Sequence, residues 1–163
     1  FALHAGHYGA KEVTGVDISA FACEFATENA RLNGLENVVH FVEANAFDLL
    51  AEQSRAGVKY DVVILDPPAF TKTRSAIEAA TRGYKEINLR AMKMVKPGGY
   101  LITCSCSQHI LPDAFMQIVR DAAHDAHVQL RQVEYRTQGR DHPILPAAPE
   151  TQYLKCGIFQ IFD

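Results

Sequence analysis

Residues 60–70 read YDVVILDPPAF, and this stretch decides the fold class. The run from Tyr60 to Leu65 is mostly apolar, which is typical of a parallel strand that is covered on both faces of its sheet. Two prolines follow Asp66, and proline cannot donate to a sheet ladder, so the strand is predicted to stop at Asp66. The sequence therefore predicts a central parallel strand that ends in a carboxylate and a rigid loop.

Strands and helices alternate around this stretch. Apolar runs predict strands over residues 13–18, 38–42, 60–66 and 100–106. Helical patterns are predicted over residues 1–8, 21–32, 46–56, 75–95 and 112–126. Ser19 is the predicted N-cap of the second helix, and Lys96-Pro-Gly-Gly99 is a turn signal before the strand that follows it. This alternation predicts an α/β fold with a doubly wound, mostly parallel sheet.

The last two predicted strands, residues 128–136 and 153–162, differ from the others because no helix lies between them. Sequence rich in glycine and proline joins them, and strands joined without a crossover helix pair antiparallel. The sheet is therefore predicted to end in an antiparallel strand pair.

Length and composition limit the class of protein further. The chain has 163 residues, 48% of them hydrophobic and 21% charged, which fits one globular domain and excludes a disordered or fibrous chain. No apolar run approaches the roughly 18 residues of a membrane span, so no membrane partner is expected. The four cysteines occur without a secretory signal or a dense disulfide scaffold, which predicts free thiols and a cytoplasmic location.

Charge is distributed unevenly along the chain. The net charge is −3, whereas residues 71–96 contain seven cations and two anions. Such a stretch can face an anionic partner such as RNA, or it can be the solvated face of a helix. The sequence leaves both interpretations open.

Polar residues follow the predicted parallel strands, and the ends of these strands meet at the sheet edge where α/β proteins bind ligands. Asp17 ends the first strand, where its carboxylate could accept hydrogen bonds from ribose hydroxyls or could stabilise a helix N-terminus. Asn45 follows the next strand. There Asn45 and Phe47 could contact an adenine, or Asn45 could cap a helix beside a core phenylalanine. Both alternatives stay open for each residue.

The loop Asp66-Pro-Pro-Ala-Phe70 is the most specific local motif. Its two prolines give a rigid rim with little conformational freedom. The carboxylate can hold the amine or the protonated ring nitrogen of a planar base while the phenylalanine stacks on the face of that base. A plain turn is the alternative interpretation.

The second informative motif is Thr103-Cys-Ser-Cys-Ser107. A cysteine thiolate is a strong nucleophile where an electropositive environment lowers its pKa. Two packing residues in a central strand are the alternative. A metal site is a third interpretation, disfavoured by the ligand spacing, and would use Cys104, Cys106, His109 and Cys156.

In combination these motifs resemble the class I S-adenosylmethionine (SAM)-dependent methyltransferases. The motifs follow one another in the order that this fold uses: Val13-Thr-Gly-Val-Asp-Ile-Ser19, Asn45-Ala-Phe47, Asp66-Pro-Pro-Ala-Phe70, Lys96-Pro-Gly-Gly99 and the antiparallel pair. More narrowly, the chain resembles the bacterial large-subunit rRNA cytosine-5 methyltransferases of the PUA-linked type. This narrower resemblance is carried by Arg82-Gly-Tyr-Lys-Glu-Ile-Asn88, Thr103-Cys-Ser-Cys-Ser107, Asp141-His-Pro143 and Tyr153-Leu-Lys155.

The resemblance implies an enzyme that transfers a methyl group from SAM to carbon 5 of an rRNA cytosine. In that family a cysteine thiolate adds to carbon 6 of the base, and the activated ring then takes up the methyl group. Cys106 is the implied nucleophile, with Cys104 as the less favoured candidate, and Asp66 is implied to hold the protonated pyrimidine nitrogen. Pro67 and Pro68 stand where related two-cysteine enzymes carry a further cysteine, so a one-cysteine cycle is implied.

The resemblance also implies binding residues and partners. SAM is the implied cofactor, and the residues expected to bind it are Asp17, Ile18, Asn45, Ala46, Phe47 and Asp66. The residues expected to bind the substrate are Pro67, Pro68, Phe70, Lys72, Tyr84 and Lys85. RNA, chiefly large-subunit rRNA, is the implied partner, and a homodimer is allowed.

The chain departs from the family pattern on its N-terminal side. The first strand and the glycine-rich turn that hold the methionine end of SAM should precede Phe1, as should the PUA domain. Residues 1–163 are therefore expected to be one N-terminally truncated methyltransferase domain that lacks the strand between those ending at Asp17 and Asp66. Such a chain is expected to bind SAM weakly or not at all, and to fold by closing that gap or by oligomerising.

Two other functions fit the same residues. Asp-Pro-Pro-aromatic loops also occur in enzymes that methylate base nitrogens, which need no thiol, so both cysteines would then be packing residues. A catalytically incompetent RNA-binding protein is the other alternative, and it would use the cations around Lys72, Arg82 and Lys85.

Overall fold

The computed structural model describes residues 1–71, 73–148 and 151–162, with Arg74 described by its backbone alone. The chain divides into two compact units, Phe1–Glu52 and Gln53–Asp163, here called the first and the second unit. Each unit contains its own sheet, with two strands in the first unit and four in the second.

The first unit has a two-stranded parallel sheet with helices packed against it. Its elements are α1 (Ala2–His7), β1 (Val13–Asp17), α2 (Ala20–Leu32), β2 (Val39–Glu43) and the start of α3 (Ala46–Arg55). The strands pair in register from Val13 opposite Val39 to Asp17 opposite Glu43. A Cβ atom at Gly6 would lie 2.6 Å from Cγ2 of Val39, so only glycine lets α1 approach β2 this closely.

The start and the end of α2 follow the sequence signals. The Ser19 hydroxyl accepts a hydrogen bond from the Ala22 backbone N–H at 3.2 Å, which confirms the predicted N-cap. Asn33 is the C-cap, and Gly34 follows with a φ of +65°, a left-handed conformation that glycine adopts without strain. The helix therefore spans the segment that its caps predict.

The second unit has a four-stranded mixed sheet. Its elements are β3 (Tyr60–Leu65), a 3₁₀ turn (Arg74–Ala76), α4 (Ile77–Met94), β4 (Val95–Ser105), α5 (Pro112–Ala126), β5 (Gln129–Arg136) and β6 (Lys155–Phe162). The strand order is β3-β4-β6-β5. β3 and β4 are parallel, and β6 is antiparallel to both of its neighbours. The predicted class is confirmed, and the antiparallel share is larger than predicted because β6 lies between β4 and β5.

The core of the second unit lies between the sheet and two mutually packed helices, α4 and α5. Both helices place an apolar face inward, and the most completely buried large side chains are Tyr84, Met92, Met94, Leu101, Ile110, Phe115, Val119 and Ile161. Pro112 begins α5, as is common at the first position of a helix, and His127 ends it in the left-handed conformation.

The segment Lys96-Pro-Gly-Gly99 differs from its prediction as a turn outside the strand. β4 already begins at Val95, which pairs with Tyr60, and the next pair is Val62 with Tyr100. Residues 96–99 therefore bulge from the ladder opposite Asp61. The Lys96 ammonium donates to the Asp61 carboxylate at 2.9 Å, which ties the bulge to β3. Residues 96–99 do leave the regular strand, as the turn signal predicts, but pairing with β3 on both sides keeps the segment in the sheet as a bulge.

Candidate active site

The first unit brings Asp17 and Asn45 to one edge of its sheet. Asp17 ends β1, and its carbonyl accepts a hydrogen bond from the Ala44 N–H at 3.0 Å, directly before Asn45. The Asp17 carboxylate accepts from the Ser19 N–H at 2.8 Å, and the Asn45 side-chain oxygen accepts from the Phe47 N–H at 2.9 Å. Both side chains are exposed and oriented by backbone donors. The structure therefore shows the helix-start role of each.

Apolar side chains lie beside these two polar residues. Ile18 is 71% exposed and Phe47 is 37% exposed, whereas the capping alternative expected a core phenylalanine at position 47. Ala46 is exposed as well. Glu43 is a further polar residue at this edge that was not among the predicted site residues, because the predicted strand stopped at Val42. It is the last residue of β2 and the register partner of Asp17.

The second unit brings Asp66 close to the cysteines. Leu65, the last residue of β3, pairs with Thr103, so Asp66 and Cys104 follow at the same end of two parallel strands. The negative charge of Asp66 reaches both Cys104 and Cys156. At Cys104 it adds to the hydrogen bond with Cys156 and to burial, which raise the pKa of that thiol, and at Cys156 it opposes the hydrogen bond from Cys104, which lowers the pKa to about 7. The sequence predicted that Asp66 and the cysteine motif lie at the same edge of the sheet, and it grouped Cys156 with that motif only in the disfavoured metal interpretation.

The two cysteines of the motif have different environments. Cys106 is half-buried and lines a cavity of about 330 Å³ whose other lining residues are Ala69, Thr71, Gln108, His109 and Tyr153. Cys104 is 4% exposed and is not among the lining residues. A hydrogen bond with Cys156, burial and nearby negative charges all raise the pKa of the Cys104 thiol. A buried thiol that resists ionisation is a poor nucleophile, so the geometry favours Cys106.

Lys155 is a residue of this region that the site prediction missed. Its side chain is buried, and its ammonium donates to the Ser107 carbonyl at 2.7 Å and to the Tyr153 carbonyl at 2.8 Å. Burial lowers the pKa of Lys155 to about 8, and the charge of Cys106 opposes this shift. The available signal was a lysine at the start of the apolar strand Lys155–Phe162, a position where charge is rare unless it has partners.

Tyr84 corrects one of the substrate assignments. Its side chain has no exposed surface, and its hydroxyl forms a hydrogen bond with the Ser107 hydroxyl at 2.9 Å. The Tyr84 ring also packs against Phe70 and Phe115, with ring centroids 4.4 and 5.7 Å away. Tyr84 therefore packs against Phe70 of the Asp66 loop and bonds to Ser107 of the cysteine segment, and its side chain has no surface open to a substrate in this structure.

The other residues predicted to bind the substrate differ in how exposed they are and in which partners they have. Pro67 and Phe70 are half-buried and Pro68 is exposed, so the loop has surface available. The Lys85 ammonium forms an ion pair with Asp125 at 2.7 Å and remains partly exposed. Lys72 lies outside the described residues, so its assignment stays a prediction.

Most described cations of the basic stretch are already paired. The ion pairs are Arg82 with Glu78, Lys85 with Asp125, Arg90 with Glu86 and Lys96 with Asp61. Exposed pairs of this kind are typical of a solvated helix face. The structure therefore favours that interpretation of the stretch over an open basic patch.

The described residues form neither a metal-binding cluster nor a membrane-spanning helix. Within residues 1–71, 73–148 and 151–162, no cluster of three or more His, Cys, Asp or Glu side chains is arranged to hold a metal ion. Over the same residues, no helix combines the length and the apolar character that a membrane crossing requires.

The chain is similar to known methyltransferases in sequence and in fold. The family described as "Methyltransferase domain" matches residues 1–148. Proteins named ribosomal RNA large subunit methyltransferase I from Shewanella denitrificans and Aeromonas salmonicida are each 44% identical over 156 residues, which is 95% of this chain and 39% of each relative. This chain thus spans about two fifths of their length. A structure from Streptococcus mutans, described as a SAM-dependent methyltransferase, has a TM-score of 0.83 at 18% identity and covers 97% of this chain and 40% of that one.

Proposed function

This chain belongs to the methyltransferase domain family, and from that premise we propose that its protein transfers a methyl group from SAM to carbon 5 of a cytosine in large-subunit rRNA. The observation that carries the proposal is the half-buried Cys106, which follows the end of β4 and lines a 330 Å³ cavity together with Ala69 of the Asp66 loop. The rRNA substrate is suggested by the names of the 44% identical relatives. An rRNA target would place the reaction in the cytoplasm.

The donor set of the first unit fits SAM, which supplies an electrophilic methyl group on a sulfonium. The Asp17 carboxylate uses one oxygen for the Ser19 N–H, and a carboxylate can accept about four hydrogen bonds, so it can also accept from ribose hydroxyls. Exposed Ile18 and Phe47 offer apolar surface to an adenine, and Asn45 offers an amide to its ring edge. These are the residues that we expect to hold the nucleoside part.

Carbon 5 of cytosine is a weak nucleophile, so the base needs activation before it can take up a methyl group. The Cys106 thiolate would form a bond to carbon 6, which moves the electrons of the 5,6 double bond toward carbon 5. Asp66 would hold the protonated pyrimidine nitrogen through a charge-assisted hydrogen bond. Loss of the carbon-5 proton and cleavage of the sulfur–carbon bond would then restore the base and free Cys106.

Lys155 is a positioning residue in this scheme. Its two hydrogen bonds hold the carbonyls of Ser107 and Tyr153, which lie beside Cys106 and in the cavity wall. Its ammonium also interacts electrostatically with Cys106. Lys155 itself is buried, so it would act through these groups and not on the RNA.

The test uses the full-length protein with SAM and RNA that contains 5-fluorocytosine, because fluorine at carbon 5 blocks the release step. We expect a denaturation-resistant protein–RNA adduct with the wild type and with Cys104→Ala, and none with Cys106→Ala. Cys104→Ala is the matched control, since it removes a thiol two residues away, inside β4, and leaves Cys106 in place.

Two results would contradict the proposal. Methyl transfer to ordinary RNA without any adduct in the wild type would indicate methylation of a base nitrogen by the Asp66 loop. RNA crosslinking without turnover by the wild type would indicate an RNA-binding protein.

A further inference from the structure

Cys104 and Cys156 occupy directly opposed positions in the antiparallel ladder of β4 and β6. The flanking pairs, Thr103 with Gly157 and Ser105 with Lys155, keep the same register. Directly opposed antiparallel residues have Cα atoms about 4.5 or 5.5 Å apart, and a disulfide accepts Cα separations of about 4.4 to 6.8 Å. The backbone is therefore already placed for a bond between these two sulfurs.

The side chains of the pair also meet. Opposed residues of an antiparallel ladder point to the same face, and the two thiols form a hydrogen bond with each other. Cys104 is buried, whereas Cys156 is half-buried and is the member that a small reagent can reach. Both are free thiols in this structure.

The environment divides the pair into a reactive and a resolving thiol. The hydrogen bond from Cys104 lowers the pKa of Cys156 to about 7, against the opposing effects of burial and of Asp66. Arg136, which pairs with Cys156 from β5, also favours the thiolate. The same hydrogen bond and burial raise the pKa of Cys104. Cys156 is therefore the thiolate near neutral pH, and Cys104 keeps its proton.

We propose that Cys104 and Cys156 are an oxidation site that forms a reversible cross-strand disulfide with a hydroperoxide as the oxidant. The Cys156 thiolate attacks the peroxide oxygen, which gives a sulfenic acid at Cys156 and releases hydroxide. Cys104 then loses its proton and attacks the Cys156 sulfur, and water leaves as the disulfide forms. In total, two thiols and one hydrogen peroxide give one disulfide and two waters, and a small thiol reverses the bond.

This oxidation leaves Cys106 as a free thiol. Cys106 lies beyond the last ladder pair, Ser105 with Lys155, so no cysteine stands opposite it. It lines the cavity instead, whereas neither Cys104 nor Cys156 is among the lining residues. The proposed disulfide therefore forms beside the nucleophile and does not consume it.

The test treats the reduced full-length protein with hydrogen peroxide, blocks the remaining thiols with iodoacetamide and maps the peptides without reduction. Trypsin leaves Cys104 and Cys106 on one peptide, so the Cys106→Ala variant assigns the bond. We expect a Cys104–Cys156 linkage in the wild type, in Cys106→Ala and in the control Cys23→Ala, and its loss after dithiothreitol. We expect no linkage in Cys156→Ala.

A second measurement keeps the proposal falsifiable if a variant folds poorly. Dimedone, which traps sulfenic acids, should label Cys156 in Cys104→Ser, because the resolving thiol is gone while a hydroxyl donor to Cys156 remains, and should label little in the folded wild type. A linkage between Cys106 and Cys156 would overturn the proposal. So would a folded wild type that forms no disulfide in excess peroxide.

Discussion

Lys155 shows how much the active-site segment depends on one buried charge. A lysine that loses its hydration is costly to bury unless its ammonium finds strong acceptors, and here two carbonyls accept from it. The pKa of Lys155 is lowered to about 8, which means that burial still outweighs these compensations for the charged form. The residue therefore gives the fold a definite pH dependence.

We predict that the stabilising contribution of Lys155 increases with pH. Its ordinary pKa is 10.5 and its folded pKa is about 8, so the unfolded chain binds more protons between these two values. The free energy of unfolding of the wild type minus that of Lys155→Met should therefore rise as pH increases from about 8 to 10.5. Urea denaturation at a series of pH values measures this difference.

Subtraction of the variant cancels the contributions of titrating groups that do not interact with Lys155. A difference that stays flat, or that falls over this range, would show that Lys155 is not desolvated. The positioning role of Lys155 is tested by a separate measurement. Iodoacetamide should alkylate Cys106 more slowly in Lys155→Met than in the wild type, because the nearby positive charge is gone.

Single residues were predictable from the sequence where their role depends on strand ends. Asp66 and Cys106 were expected at one edge of the sheet because polar groups after parallel strands collect there, and their catalytic roles stay predictions. Tyr84 was misassigned and Lys155 was missed for one common reason. Burial is decided by which element packs on which. The neighbours of Tyr84 in the helix do not carry that information, and the only signal for Lys155 was its place at the start of an apolar strand.

At the scale of elements, the bulge of β4 is the feature most sensitive to a small change. A Cβ atom at Gly99 would lie 2.6 Å from the Asp61 carbonyl oxygen and 2.9 Å from the Lys96 carbonyl oxygen. Both are backbone atoms, which cannot move aside as a side chain can. The bulge therefore requires glycine at position 99 for space.

We predict that Gly99→Ala lowers the free energy of unfolding by about 1 to 3 kcal/mol, the usual cost of overpacking. Gly139→Ala is the matched control, because its Cβ would also meet an oxygen at 2.6 Å, but that oxygen belongs to the exposed Asp141 side chain. The control should change the free energy by less than about 0.5 kcal/mol. Urea denaturation of both variants gives the comparison, and equal costs would contradict the argument.

Element boundaries were predicted well where local chemistry sets them. α5 spans the predicted residues 112–126 because proline starts it and the chain turns left-handed after it. The strand order could not be predicted from the sequence. β6 lies between β4 and β5 because it pairs with β4, which is about fifty residues earlier in the chain. Local sequence patterns indicate that a segment forms a strand, but they do not indicate which other strands it pairs with in the sheet.

At the scale of the molecule, the residues expected to hold SAM and those expected to hold the base belong to different units. Asp17, Asn45 and Phe47 lie in Phe1–Glu52, and Asp66 and Cys106 lie in Gln53–Asp163. Within the described residues, β1 pairs with β2 alone and β3 pairs with β4 alone. The proposed methyl transfer requires that the SAM held by the first set of residues meets the base held by the second set.

We predict that the 163-residue chain binds SAM more weakly than the full-length protein, by at least about tenfold, or about 1.4 kcal/mol. The chain spans 39% of its curated relatives, and the strand edges of β1 and β3 have no second partner in the described residues. Calorimetric titration of both proteins measures the ratio. Stoichiometric, micromolar binding to the 163-residue chain would refute the prediction, and Asp17→Ala in the full-length protein should abolish most of its binding.

The place of β6 between β4 and β5 also has a consequence for synthesis on the ribosome. β4 and β5 cannot form their final sheet until residues 155–162 have been made, because both pair with β6 and not with each other. At about 5 to 20 residues per second, the roughly fifty residues after β4 take about 3 to 10 s to translate. During those seconds one edge of β4 stays unpaired, so the nascent chain is exposed to aggregation at the same strand that carries Cys104.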